Sequence, residues 1–529
     1  MKNTLTYKII YPASVLLLAL AALALYRLGQ MLLQPVNLFH LAHGVWVCLL
    51  AAWAITAIFT GIRDRAAATD TGAATTNRLE FFLLTGVALL TFAGFLLAGQ
   101  GRLLAGRQTA ALLPFPADSS MLIQSLAASA LVTGCLFIVH GLLRRFVPHR
   151  NATVFPFAAM LSALGLILLF RLGPDIAALR HKPGFVFLFW SQFRSFIISL
   201  AVFGATLLLL TPDRLKSLTD KRYIYALACI VLITITALFG TQMHGRRLSL
   251  NLGVMNFQSV ELVKLLALLF MVGYFRFEGR FLETGRNRFG LPRGRYLLPY
   301  LFMWALVLLP IFLQRDLGPT MLIFSLFLVI FYLGTGSAAS VVSGMVLALA
   351  AGTVAYFTGI PSMVRTRVDM WLDPFHYSQN IAQSLWAAAS GGLFGAGSGM
   401  GYAHRIPVVQ SDFNFAVIAE EWGLIGVVAV LLLFGGLVHG CLRVAGRQER
   451  PDFQLLAAGL GSLWMLQTLV IVAGNMALLP LTGITLPFIS YGGSSLLMNF
   501  VMLALLLRLS EQQPAAVEDI REQPTRVAP

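Results

Sequence analysis

Residues 411–438 read SDFNFAVIAEEWGLIGVVAVLLLFGGLV, and no charged side chain follows Glu421 until Arg443. That run is close to the roughly 20 apolar residues a helix needs to cross the hydrocarbon core of a bilayer. Lipid offers the backbone no hydrogen-bond partner, so such a run has to be helical. The head of the same stretch carries three acids, Asp412, Glu420 and Glu421. Carboxylates at membrane depth are costly and mark either function or a buried pair.

The rest of the chain repeats the apolar pattern. Of 529 residues, 58% are hydrophobic and 11% charged, against about 25% charged in a soluble domain. Mean hydropathy is +0.80. Twenty-two acids and 38 bases cannot clothe several soluble domains, which excludes a soluble enzyme, a disordered chain and a secreted disulfide scaffold. The composition predicts an all-α polytopic membrane protein. Fourteen runs qualify as spans, centred near Leu18, Leu49, Leu90, Ala130, Ala163, Val202, Val231, Leu268, Ala305, Phe327, Leu347, Val427, Trp464 and Leu503. The first, Ile9 to Tyr26, is long for a signal-peptide core and is expected to be retained. Only Gly334 to Ser337 separates the tenth from the eleventh.

The net charge of +16 does not point to nucleic acid, because no basic helix or RNA-binding motif accompanies it. It reads as Lys and Arg held in cytoplasmic loops. With both termini in the cytoplasm, most bases fall inside, above all the six arginines between 276 and 295. Cys48, Cys135, Cys229 and Cys441 lie in apolar runs without CxxC spacing and read as small core residues.

Between Thr358 and Asp412 no span is apparent, and a segment this long is uncommon without function. It is expected on the outer face. VRTRVDMWLDP places Arg365 and Arg367 beside Asp369 and Asp373, either for bidentate phosphate recognition or as a structural ion cluster. Arg405 follows. GGLFGAGSGMG, residues 391–401, offers backbone N–H groups to a phosphate or else packs tightly. Asp412, beside Phe413 and Phe415, reads as a general base of raised pKa or as a helix N-cap, and spacing alone favours the cap. Glu261 and Lys264 stand at i,i+3 and are expected to form a structural pair, as are Glu420 and Glu421 with membrane partners. Arg246 and Arg247 supply a further outer cationic site, and Arg315 with Asp316 an outer turn. Residues 480–495, PLTGITLPFISYGGSS, interrupt the apolar pattern with Pro480 and Pro487. No Walker motif, zinc spacing or Ser/His/Asp order is present.

Several motifs together resemble one family. GNMALLPLTGITLPFISYGGSS, QRDLGPTM, RTRVDMWLDP, IAQSLWAAASGGLFGAGSGMG and SDFNFAVIAEEWGLIG resemble, in order and spacing, those of the SEDS family of RodA, FtsW and SpoVE. The resemblance runs from about Val154 to Arg508 and takes in ten of the fourteen spans, the number the family has. It implies a ten-helix core at residues 151–510 with a large extracytoplasmic loop at 358–412. Residues 1–150 are then a four-helix extension without a polar motif, expected to be dispensable for bond formation. Residues 511–529 are a cytoplasmic tail.

The family's members are peptidoglycan glycosyltransferases that polymerise lipid II at the bacterial cytoplasmic membrane, usually with a class B penicillin-binding protein. Their essential acid lies in an HTDFIF-like motif, which the resemblance carries to Asp412 in QSDFNF, with Gln410 where His is usual. Arg365, Arg367, Arg246, Arg247 and Arg405 are then candidates for holding the lipid pyrophosphate. No protein-bound metal is expected. A divalent cation, Mg or Mn, is the one cofactor the pyrophosphate suggests. Two other readings stay open: a flippase or transporter with Glu261, Lys264, Glu420 and Glu421 along its path, and a non-catalytic scaffold for the penicillin-binding protein.

Overall fold

The computed structural model describes residues 35–511 apart from 64–72, 106–120, 244–245, 252, 254–255, 285–293 and 315. The predicted span at Leu18, Arg315 and the tail from 512 lie outside the described residues. Helices occupy all thirteen remaining predicted centres. They are α1 (Pro35–Arg63), α2 (Ala73–Leu104), α3 (Met121–Phe146), α4 (Val154–Arg180), α5 (Leu188–Leu209), α6 (Arg222–Phe239), α7 (Ser259–Thr284), α8 (Gly294–Leu313), α9 (Leu317–Thr335) and α10 (Ala338–Thr358). After them come three short helices, α11 (Ser362–Leu372), α12 (Pro374–Tyr377) and α13 (Gln379–Ser390), and then α14 (Asn414–Ala445), α15 (Pro451–Asn475) and α16 (Gly493–Glu511).

Among the described residues, eleven helices are long and apolar enough to cross a membrane. Two predicted spans fall short of that measure for visible reasons. α7 carries Glu261, Lys264, Arg276 and Glu278, and the apolar part of α8 is confined to Leu297–Leu309. The chain is a multi-pass membrane protein, and these helices do not fix the count at fourteen.

Burial sorts the helices by layer. The apolar window of α4 is wholly buried, so this helix forms the axis of the bundle. α10 buries none of its residues and presents Val346, Leu349 and Phe357 outward, which only lipid or a partner tolerates. The uncertain boundary between the tenth and eleventh runs is a true break. Gly336 ends α9 in the left-handed region at φ 66°, and Ser337 caps α10 by accepting from Ser340 N–H.

The segment expected to be a loop is largely helical. Asp373 caps α12 through His376 N–H, and Ser378 caps α13 through Ile381 N–H. Their spacing is too short for a bilayer, so the segment lies on one face, here called the loop face. On the connection from α6 to α7, Thr241–Met243, Arg246–Asn251 and Asn256–Gln258 pair as a three-stranded antiparallel sheet. This small sheet was not foreseen in an all-α chain. Its alternating RRLSLN strand was the available sign.

The N-terminal helices contain polar groups that the sequence reading missed. Glu80 of α2 is fully buried and paired with Arg150 at 2.6 Å, and His140 of α3 lies 2.6 Å from the same oxygen. His43 of α1 and Arg102 of α2 are also buried.

Candidate active site on the loop face

Asp412 stands just outside α14, whose N-cap residue is Phe413 with no side chain capping it. The cap that spacing favoured is therefore absent, and the carboxylate is not spent on the helix. The backbone around it is fixed instead. Asp412 N–H donates to Val408 O at 3.1 Å, where Val408 adopts φ 59°. Asn475 Nδ2 donates to Asp412 O at 3.0 Å. Ser490 Oγ donates to Ser411 O at 2.6 Å and accepts from Leu486 N–H at 3.0 Å and Asn414 Nδ2 at 3.1 Å. Tyr491 N–H donates to Gln410 O at 2.8 Å. The stretch broken by Pro480 and Pro487 is thus a clamp on the chain that carries Asp412.

The carboxyl itself is half-buried. Burial pushes its pKa above the usual aspartate value, against the Ser411 hydroxyl and the charge of Arg367, which pull it down. Arg367 reaches this position from α11. Its Nη1 donates to Leu481 O at 2.5 Å, and Trp371 one turn on donates Nε1 to Ala477 O at 3.0 Å. Gly483, at φ 70°, lies beside both side chains. A Cβ there would sit 3.6 Å from Asp412 Oδ2 and 3.8 Å from Arg367 Nη2. Gly483 also lines a cavity with Gln258, Glu261, Lys264, Asp316 and Thr485.

Glu261 and Lys264 form the expected ion pair, at 2.7 Å. Lys264 Nζ also donates to Gln467 Oε1 at 3.0 Å, and Gln467 Nε2 to Thr485 O at 2.6 Å. The pair is therefore structural and at the same time part of the cavity wall beneath Gly483.

Glu420 and Glu421 do something else. α14 is broken at Gly423, φ 66° and ψ −166°, which frees backbone groups at membrane depth. The Gly-rich segment supplies their partners. Ala396 N–H donates to Glu420 O at 2.9 Å and Gly397 N–H to Glu421 O at 3.1 Å, while Leu424 and Ile425 N–H donate to Gly392 and Leu393 O at 2.9 and 3.1 Å. The carboxylates complete the seam. Glu420 accepts from Tyr402 and Ala403 N–H at 2.9 and 2.6 Å, and Glu421 from Gly399 N–H at 3.0 Å. Arg171 Nε lies 2.5 Å from Glu421 Oε1. A Cβ on Gly395 would fall 2.1 Å from Glu421 O. The Gly-rich run is tight packing against a broken helix and not a phosphate cradle, and both carboxylates are engaged by backbone N–H groups in and just after it.

The remaining cations are dispersed. Arg365 is exposed on α11. Arg405 is exposed and lies over the Tyr402 ring at 5.1 Å. Arg247 turns its guanidinium to Leu238 O at the end of α6. Arg246 is in the second strand, and its side chain lies outside the described residues. Asp369 accepts from Tyr356 Oη at 3.1 Å. Sequence reading missed Asn475, Ser490, Gln467 and the pair Arg171–Asp175, although an Arg and an Asp at i,i+4 inside an apolar run were a readable sign.

The sequence pattern of the FtsW, RodA and SpoVE family, described as cell cycle protein, matches residues 151–515. The chain belongs to this family. Among curated relatives, peptidoglycan glycosyltransferase RodA of Mycobacterium tuberculosis is 35% identical over 74% of this chain and 83% of its own length. The probable peptidoglycan glycosyltransferase FtsW of Thiomicrospira cyclica is 32% identical over 60% of this chain and 82% of its own. A solved chain from a peptidoglycan synthase complex, described as coordinating polymerization and crosslinking, aligns with a TM-score of 0.55 at 26% identity. It covers 68% of this chain and 96% of that one. The family match starts at residue 151 and takes in Asp412, Arg367, the clamp and the cavity, whereas α1–α3 lie before it.

Proposed function

We propose that this peptidoglycan glycosyltransferase polymerises lipid II with Asp412 as its general base. In that reaction an acceptor-sugar hydroxyl oxygen bonds to C1 of the donor sugar. The bond from C1 to the undecaprenyl pyrophosphate breaks, and the lipid pyrophosphate leaves with the electron pair. The hydroxyl proton passes to Asp412. The leaving group is already good, so one base is enough, unlike hydrolysis by paired carboxylates. The observation that carries this reading is a half-buried carboxyl held by its backbone, freed from capping, under the charge of Arg367 and beside Gly483, which itself lines the cavity.

Arg367 would meet pyrophosphate charge next to the base, while Arg365, two residues earlier, projects from the opposite side of the same helix and would meet the substrate only on its approach. Arg405, Arg246 and Arg247 are assigned to the approach of the substrate over the loop face. Among the described residues no three His, Cys, Asp or Glu side chains converge to hold a metal. A divalent cation, Mg or Mn, would be brought by the pyrophosphate, whose charge it would help to balance as the leaving group departs.

The charge bias along the chain supports the bacterial cytoplasmic membrane with both termini inside and the loop face outside. The solved synthase complex supports a class B penicillin-binding protein as partner. The locking of Glu420 and Glu421 into backbone hydrogen bonds speaks against a transport path through them. The deciding experiment is lipid II polymerisation by purified protein, alone and with the class B partner, with Asp412→Asn as control. Glycan from wild-type protein and none from Asp412→Asn is expected. Equal product from both removes Asp412 as base, and no product with any partner removes the activity.

A further inference from the structure

Helices α1–α3 precede the family match, yet two of them reach the Gly-rich segment that leads to Asp412. His43 of α1 lies with Nε2 2.8 Å from Glu421 O, the carbonyl exposed by the break at Gly423. Its Nδ1 is 3.5 Å from Ser398 N–H. Both contacts are satisfied by one neutral tautomer, Nε2–H donating and Nδ1 accepting. One turn earlier, Phe39 closes over the same segment, where a Cβ on Gly397 would fall 2.7 Å from its ring.

α2 meets the same segment next to Phe39. A Cβ on Gly101 would fall 1.8 Å from Ser398 O, and one on Gly399 would fall 2.9 Å from Arg102 N. Backbone approach this close needs glycine on both partners. Arg102 Nε then meets Asp175 Oδ1 at 3.3 Å, and Asp175 Oδ2 meets Arg171 Nη1 at 3.0 Å. Arg171 continues the chain to Glu421, which holds Gly399 N–H, and through Nη2 to Gly401 O at 2.8 Å. All four charged side chains are buried, where an ion pair that loses one member leaves the rest uncompensated.

We propose that His43 and Arg102 of the N-terminal helices are positioning residues for glycosyl transfer, acting by fixing residues 397–401 and so the loop that ends in Asp412. This reverses the expectation that residues 1–150 are dispensable for bond formation. It rests on the reading of Asp412 as base. Small displacements of a catalytic group cost large factors in rate, so a wall that sets the loop also sets turnover.

The test uses full-length protein with Cys48→Ser and Cys135→Ser, leaving buried Cys229 and Cys441, and a spin label at Tyr402→Cys, an exposed position. Arg102→Ala and His43→Ala are expected to make the label more mobile. Each should lower kcat for lipid II polymerisation per folded protein by about ten- to a hundredfold with KM unchanged. Arg102→Lys is expected to recover most of both effects. A purely architectural role would lower the yield of folded protein and leave kcat and the label unchanged, and that result overturns the proposal. If Arg102→Ala does not fold, His43→Ala and the milder Arg102→Gln carry the same two readouts. If wild-type protein makes no glycan, the reading of Asp412 fails, and an unchanged label in both variants still refutes the positioning role.

Discussion

Asp412 and Arg367 both reach Gly483, where a side chain's Cβ would lie 3.6 Å from the carboxylate and 3.8 Å from the guanidinium. The acid comes from the head of α14 and the cation from α11, which are joined here through the 476–483 turn that accepts from Arg367 and Trp371. Asn475 and Ser490 hold the chain at Asp412 from the other side. Asp412→Asn keeps the size and removes the base. Because Asp412 does not cap α14, folding is expected to be unaffected, while polymerisation falls by about 10²–10⁴. Product assays on detergent-purified protein of matched thermal stability check this.

The pH dependence follows from the same contact. Burial raises the Asp412 pKa and Arg367 opposes the rise. A base works ionised, so the rate is expected to fall as pH drops through a value above the ordinary aspartate range. For stability the sign is the reverse, since a raised carboxyl pKa means that ionising it above that pH costs folding free energy. Arg367→Gln removes the opposing charge and is expected to move the acid limb to higher pH. Single-turnover rates of wild type and Arg367→Gln across pH measure the shift, and an unmoved limb would separate Arg367 from the base.

The apolar runs made the helices legible, because in lipid a run of that length has one backbone solution. Asp412 was legible only as an acid at a helix head, where its own spacing favoured a cap that the structure does not contain. The Gly-rich run read as a phosphate cradle or as packing, and only the break at Gly423 shows which, since its partners lie some thirty residues away in sequence. The clamp of Asn475 and Ser490 and the chain from Arg102 to Glu421 join residues far apart in sequence. No periodicity reports such contacts.

Glu261 and Lys264 can be taken apart by charge. Lys264→Met leaves Glu261 buried beside the cavity without its partner, at a cost of about 3–5 kcal/mol. Glu261→Gln with Lys264→Met removes both charges and is expected to recover much of that loss. Thermal unfolding of the single and double variants measures the coupling. Equal, additive losses would show that the pair is not held as an ion pair.

Glycine substitutions separate the seam from ordinary helix positions. Gly395→Ala places a methyl group 2.1 Å from Glu421 O at φ 84°, where neither the backbone nor the conformation gives way. Gly134 of α3 has nothing within 4 Å, and alanine gains up to about 1 kcal/mol of helix propensity there. Gly395→Ala is expected to lose most folded protein, and Gly134→Ala to match or exceed wild type. Size-exclusion profiles and unfolding temperatures in one detergent compare the two.

Orientation is the remaining step, and the positions used to test it matter. Ser398 lies in the loop segment but is 2% exposed and hydrogen-bonded to Trp422, so a cysteine there would resist labelling on either side of the membrane. Tyr402 is 61% exposed on the loop face, and Asp213 is exposed on the short connection between α5 and α6. The bases gather on the connections of that second face, with Arg214, Lys216, Lys221 and Arg222 beside Asp213, and the positive-inside bias predicts that this face is cytoplasmic. In intact cells an impermeant maleimide is expected to label Tyr402→Cys and to leave Asp213→Cys unlabelled until the membrane is broken. Both variants carry Cys48→Ser, because Cys48 is exposed on α1. The reverse pattern would turn the whole bundle over and put Asp412 on the side where the charge bias places the termini.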